Sequence, residues 1–200
     1  MAKNGVSGTG LRAATALAAL SACLAGCGGA VALNAGFPAP LMGRLPLTAQ
    51  IQYPEKLRAF THVEEALDST RWTIAIGEPS VRMLESVFGA TLSVAPENLA
   101  GAAPDLIIEP EILQFELGVP GRSKVDVPAA WIEFNVRIRS GDGAPLTRLK
   151  IRGYGEGSHG SGGGKSLSQA AEYALRDAGA ALAQELNADA AILALIGERS

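Results

Sequence analysis

The chain has 200 residues, enough for one domain with a real core. Its formal charge is -3, and setting aside Lys3 and Arg12 near the N-terminus makes it -5. That balance excludes a basic footprint for nucleic acid and gives little attraction to an anionic membrane surface.

The first informative stretch is Ala13 to Cys27, AATALAALSACLAGC, an apolar run behind the basic lead of Lys3 and Arg12. It has the length of a secretory apolar segment and falls short of the roughly 20 apolar residues that a bilayer core needs. The small residues Ala25 and Gly26 let the chain extend into a peptidase active site, and the thiol of Cys27 can be alkylated at a membrane surface. The arrangement resembles a bacterial lipoprotein signal peptide ending in a lipobox, Leu24-Ala25-Gly26-Cys27.

The resemblance implies that residues 1–26 are removed and that Cys27 becomes the first mature residue, carrying a diacylglyceryl thioether and an acylated amine. Each buried CH₂ adds about 0.8 kcal/mol, so more than one chain gives stable anchoring. Gly28 rather than an aspartate after the cysteine implies the outer membrane, with the body facing the periplasm. The bland alternatives are an ordinary secretory leader with a chance cysteine, or a buried N-terminal helix. Cys23 would leave with the leader and Cys27 would be consumed by lipid. The mature body would then have no disulfide and no thiol chemistry, and its stability must come from packing.

Residues 28–43 are small and apolar with Pro38 and Pro40, and read as a tether. Residues 46–52 alternate as a first strand, Glu55 to Asp68 is open between a short helix and an irregular strand, and residues 71–76 read as a strand. Pro79 suits the first turn of a helix whose Val81, Leu84 and Phe88 share a face and which Gly89 ends. A loop follows over 95–104. Leu106, Ile107 and Ile108 then start a strand that shifts its apolar parity across Pro110 to Leu113, Phe115 and Leu117, as a bulge would cause.

The clearest local signal is a hairpin from Trp131 to Tyr154 turning at Asp142-Gly143. Centred there, Val136 faces Leu149 and Phe134 faces Ile151 on an apolar side. Glu133 faces Arg152, Arg137 faces Arg148 and Trp131 faces Tyr154 on a wet side. After a glycine-rich stretch, Ser166 and Gln169 make a capping box. A long helix follows with Leu167, Ala171, Ala174, Leu175, Ala178, Leu182 and Leu186 on one stripe. Residues 190–196 are apolar again and either extend that helix or turn back to dock.

This order predicts an α+β fold, a two-layer sandwich with a mostly antiparallel sheet and two main helices packed on one face. The domain assignment is a signal peptide over 1–26, a flexible tether over 27–44 and a single α+β domain over 45–200.

Candidate chemistry is sparse. Residues 159–166, HGSGGGKS, approach a phosphate-binding loop, but His159 replaces the first glycine and the preceding strand alternates. Only 34 residues follow Ser166, so no nucleotide is expected. His62 and His159 complete no triad or metal set and read as solvent-facing. Glu109 and Glu111 flank Pro110 and read as strand-edge charges, since a carboxylate pair needs convergence across a cleft.

The basic row Arg137, Arg139, Arg148, Lys150 and Arg152 is the feature of most interest, with Trp131 and Tyr154 as an aromatic anchor at its end. It is either a solvated face or a docking face for an acidic partner or anionic envelope polymer. Arg137 opposite Arg148 is mildly destabilising unless something binds there.

The hairpin, Gly153-Tyr-Gly-Glu-Gly157 and the helix opening Ser166-Leu-Ser-Gln-Ala-Ala-Glu-Tyr loosely resemble small envelope lipoproteins: accessory lipoproteins of lipopolysaccharide export, transport-auxiliary lipoproteins and activators of cell-wall synthases. The expected function is a non-enzymatic, lipid-anchored periplasmic accessory protein that needs no cofactor or metal. It would be held to the membrane through Cys27 and bind an envelope protein or anionic polymer. The alternatives are a periplasmic hydrolase or polymer-modifying enzyme using Glu109 or His159, and a small-ligand carrier.

Overall fold

The structure is a computed structural model that describes residues 28–33, 36–65, 71–95, 103–120, 125–158 and 163–198. The leader over 1–26, the lipidation candidate Cys27 and His159, the alternative hydrolase residue, lie outside the described residues.

The described residues form two sheets. The larger has five strands in the order β5-β2-β6-β7-β8: β2 (Thr48–Ile51), β5 (Ser93–Val94), β6 (Leu106–Gly118), β7 (Ala129–Ser140) and β8 (Pro145–Glu156). Strands β6, β7 and β8 run antiparallel, while β2 is parallel to both β6 and β5. The α+β sandwich is therefore as expected, but its sheets are mixed rather than mostly antiparallel. The long return from β2 to β6 through a helix permits parallel pairing, which a tight turn does not.

A smaller sheet has the order β1-β4-β3, from β1 (Gly28–Val31), β3 (Thr61–Glu65) and β4 (Arg71–Ala75). The segment from Glu55 resolves into a short helix, α1 (Glu55–Arg58), and then β3. Helix α2 (Gly77–Thr91) runs past Gly89, the expected stop, and α3 (Gly164–Ala188) is the longest element.

Helix α3 covers the inner face of β7 and β8, with α2 packed beside it. The predicted stripe Leu167, Ala171, Ala174, Leu175, Ala178, Leu182 and Leu186 is buried, facing a core that includes Ile132, Phe134, Val136, Leu149 and Ile151.

The contact between α3 and β8 is unusually close. A Cβ on Gly153 would lie 2.1 Å from the Ala174 carbonyl oxygen, one on Gly155 2.3 Å from that of Ala170, and one on Gly157 2.2 Å from that of Ser166. Two residues of strand advance about 6.6 Å and four of helix about 6.0 Å, so glycines at every second position match small residues at every fourth.

Helix α4 (Ala190–Gly197) follows α3 at a bend of 44°. The bend is made by Asp189, whose carboxylate accepts from the backbone N–H groups of Ala191 and Ile192 and whose other oxygen accepts from Thr147 at 2.9 Å. This is a capped new helix rather than a continuation. Among the described residues no single helix is long and apolar enough to cross a membrane.

Three other local expectations are corrected. The register shift in β6 falls between Ile112 and Gln114, not at Pro110, which pairs with Val136. The Gln52 N–H bonds to the Ile108 carbonyl, so the next same-side position, Pro110, faces the flank where β2 has ended and no donor is needed. Leu113, expected in the core, is the extra residue and is 47% exposed.

The capping box does not form. Ser166 donates to the Ser158 carbonyl at 2.9 Å and Gln169 accepts from the Ser158 N–H at 2.8 Å, so both side chains tie the end of β8 to the helix.

The third correction concerns the tether. Within 27–44, β1 pairs in parallel with β4, and Val31 and Leu33 are buried in the main core. Residues beyond β1 form a strap along α2 and α3. The carbonyls of Ala32, Leu33, Gly36 and Phe37 accept from Ser168 (3.0 Å), Arg82 (3.1 Å), Arg176 (3.4 Å) and Ser86 (3.0 Å). Irregular backbone without a ladder partner thus finds its partners in helix side chains.

Candidate interaction surface

The hairpin forms in the predicted register: Trp131 opposite Tyr154, Glu133 opposite Arg152, Phe134 opposite Ile151, Val136 opposite Leu149 and Arg137 opposite Arg148. The turn is one residue longer than expected, with Gly143 at φ 90° and the Ser140 N–H bonded to the Ala144 carbonyl at 2.9 Å. A compensating irregularity in the pairing past Ile138 restores the register.

The outer face of β6, β7 and β8 therefore carries the whole basic row, but it also carries carboxylates that the hairpin alone did not reveal. Glu109 stands opposite Arg137 and Glu111 opposite Asn135. Arg137 forms ion pairs with both, each at 3.3 Å. It leans toward β6 and away from Arg148, which relieves the like-charge contact between the two arginines without a ligand. Glu109 and Glu111 are outward residues of a continuous strand, not edge charges beside a bulge.

Lys150 and Arg152 share one carboxylate, Glu133, at 3.0 Å and 2.7 Å. Hydrogen bonds from Arg152 and then Lys150 hold the Glu133 carboxyl below the usual carboxylate range. Arg148 is exposed and has no ion-pair or hydrogen-bond partner among the described residues. Charge on this face is thus separated: acidic along β6, basic along β8.

Two polar atoms on the face are buried without partners among the described residues, Asn135 Oδ1 and Arg139 Nε. Asn135 donates its amide to Glu111 at 2.6 Å, so its oxygen is left for water or a ligand.

Trp131 and Tyr154 stack at 5.3 Å between ring centres, and each is about two-fifths exposed. The Tyr154 hydroxyl donates to Glu156, which raises its pKa. A shallow groove of about 410 Å³ runs past Gln114, Glu116, Trp131, Glu133 and Arg152, and a second of about 500 Å³ lies between Glu109, Arg137, Arg139, Leu146 and Arg148.

On the opposite side, an apolar slot of about 210 Å³ lies under the strap between Phe37, Pro40, Met83, Val87 and Gly179. His62, expected in solvent, is half-buried on β3. It sits 3.2 Å from Glu64 and edge-on to Phe115 at 5.0 Å. Among the described residues no three histidine, cysteine or acidic side chains converge as a metal set.

No protein-family model matches the sequence, and no curated protein matches it. Among solved structures, a Xanthomonas campestris protein of the family DUF330 superposes with TM-score 0.51 at 16% identity, over 86% of this chain and 97% of that one. A minor lipoprotein from Acinetobacter baumannii superposes with TM-score 0.40 at 11% identity, over 71% of this chain and 93% of its own. A Caulobacter crescentus protein described as a lipoprotein does so with TM-score 0.45 at 10% identity, over 76% and 93%. At these identities the first likeness is one of fold.

Proposed function

We propose that this chain is a lipid-anchored accessory protein of the bacterial cell envelope. Cys27 carries the lipid, the anchor sits in the outer membrane with the body facing the periplasm, and the outer face of the large sheet binds an envelope partner. The observation that carries this reading is the lipobox of residues 24–27 behind an apolar leader.

We read the body as a binding protein rather than an enzyme. Glu109 is engaged by Arg137 on an open sheet face, where among the described residues its neighbour Glu111 lies beside it on the same strand rather than across a cleft. The basic edge of that face suits an acidic protein or an anionic polymer.

Intact-mass measurement of the full chain purified from membranes tests the anchor. The expected product lacks residues 1–26 and carries added acyl mass on Cys27, and Cys27→Ser abolishes both. A chain with an intact leader or a bare thiol overturns the reading. Arg148→Glu is the cleanest test of the surface, because this side chain holds no carboxylate. The variant should fold normally and lose its partner in affinity purification from crosslinked envelopes.

A further inference from the structure

Strand β8 is the last strand of the large sheet, twelve residues long, with β7 on one side only. The direction of its free edge follows from one contact. The Tyr154 N–H donates to Asp177 of α3 at 3.0 Å, so it points away from β7. Backbone direction alternates along a strand, so the N–H and C=O groups of Arg148, Lys150 and Arg152 point the same way. Among the described residues these six groups have no hydrogen-bond partner.

Long exposed edges are normally blunted, because they pair with other chains. Here Asp177 covers the N–H of Tyr154, and along residues 148–152 like charges blunt the edge against a second copy. An antiparallel pairing of two β8 strands about Lys150 would set Arg148 against Arg152 of the second copy, and like charges directly opposite repel. An extended segment with acidic residues at alternate positions meets the reverse situation. Its carboxylates would lie beside Arg148, which has no partner among the described residues, and beside Lys150 and Arg152, which share the carboxylate of Glu133. Its intervening side chains would lie beside α3, where Tyr173 is 42% exposed next to Gly155.

We infer that the free edge of β8 takes up an extended, alternately acidic segment of an envelope protein as a sixth strand, bonded to the backbone of Arg148, Lys150 and Arg152. The inference rests on the partner-binding reading above and names the class of partner. Backbone pairing would give affinity, and the basic side chains would give specificity.

Backbone amide exchange read by NMR on the full chain in detergent tests it. The probe is a capped hexapeptide alternating glutamate and valine, with a lysine-valine peptide as control. The glutamate peptide should slow exchange at the amides of residues 148, 150 and 152 by about tenfold or more, and the lysine peptide should not. Arg148→Glu should remove the protection. Three outcomes overturn the inference: glutamate-peptide binding that leaves these amides unprotected, no binding of that peptide, or protection in the free protein that grows with its concentration. The first is the outcome for a purely ionic ligand such as a polymer, and it leaves the anchored-accessory reading standing. The mass of Cys27 decides that reading independently.

Discussion

Glu133 is the residue on which the basic edge depends, since one carboxylate holds Lys150 and Arg152 in place. Its folded pKa lies below the ordinary value of 4.5. Its contribution to stability is therefore complete above that value and is lost as pH falls through the lowered one. Asp142 is lowered too, by a hydrogen bond from Ser140 and then one from the Ala144 N–H. Acid unfolding of the native chain will contain both losses, and Glu133→Gln should remove one. The check is denaturant unfolding between about pH 5 and pH 2, where the variant should show a shallower fall. Arg137 behaves differently from Arg148. Arg137→Glu sets a third carboxylate beside Glu109 and Glu111 and should destabilise by about 1 kcal/mol, because the native pairs are partly exposed. Arg148→Glu should stay within about 0.5 kcal/mol. A reversed order in chemical denaturation would show that the charge separation is misassigned.

At the scale of elements, the contact between β8 and α3 sets the strictest demand. Gly155→Ala places a methyl group 2.3 Å from the Ala170 carbonyl oxygen and 2.4 Å from the Ala174 nitrogen, both backbone atoms of a helix. The helix must move away, at a cost of about 1–3 kcal/mol. Thermal unfolding should register this, whereas Gly89→Ala, with open space around it, should not lose stability. Gly-Tyr-Gly-Glu-Gly over 153–157 was visible in the sequence, but its meaning needs both partners. Alternate glycines become a contact only when small residues four apart lie across from them. The hairpin was legible because alternation and a turn signal together fix a register. The capping box failed because Ser166 and Gln169 have a nearby alternative, the backbone and hydroxyl of Ser158, that no local pattern reveals.

For the whole molecule, the basic row was legible but its neutralisation was not. Placing the irregularity at Pro110 hides the pairing of Glu109 and Glu111 with β7, and only the early end of β2 explains why that proline sits in an unbroken strand. The strap was illegible for a related reason. A small, apolar, proline-containing stretch reads as a linker when its partners lie 49 to 140 residues away, as Arg82, Ser86, Ser168 and Arg176 do. Its mechanical consequence is considerable. If Cys27 is acylated, the strand that pairs with β4 begins at the next residue, so the body would be held against the bilayer at a fixed edge rather than swinging on a leash. Leu33→Ala separates these pictures. Leu33 is 5% exposed within the core, so truncation should cost about 2–5 kcal/mol. For a body of this size that lowers the unfolding midpoint by roughly 4–20 °C. In a leash the same substitution would be silent, and an unchanged midpoint would return residues 28–44 to the role of a linker.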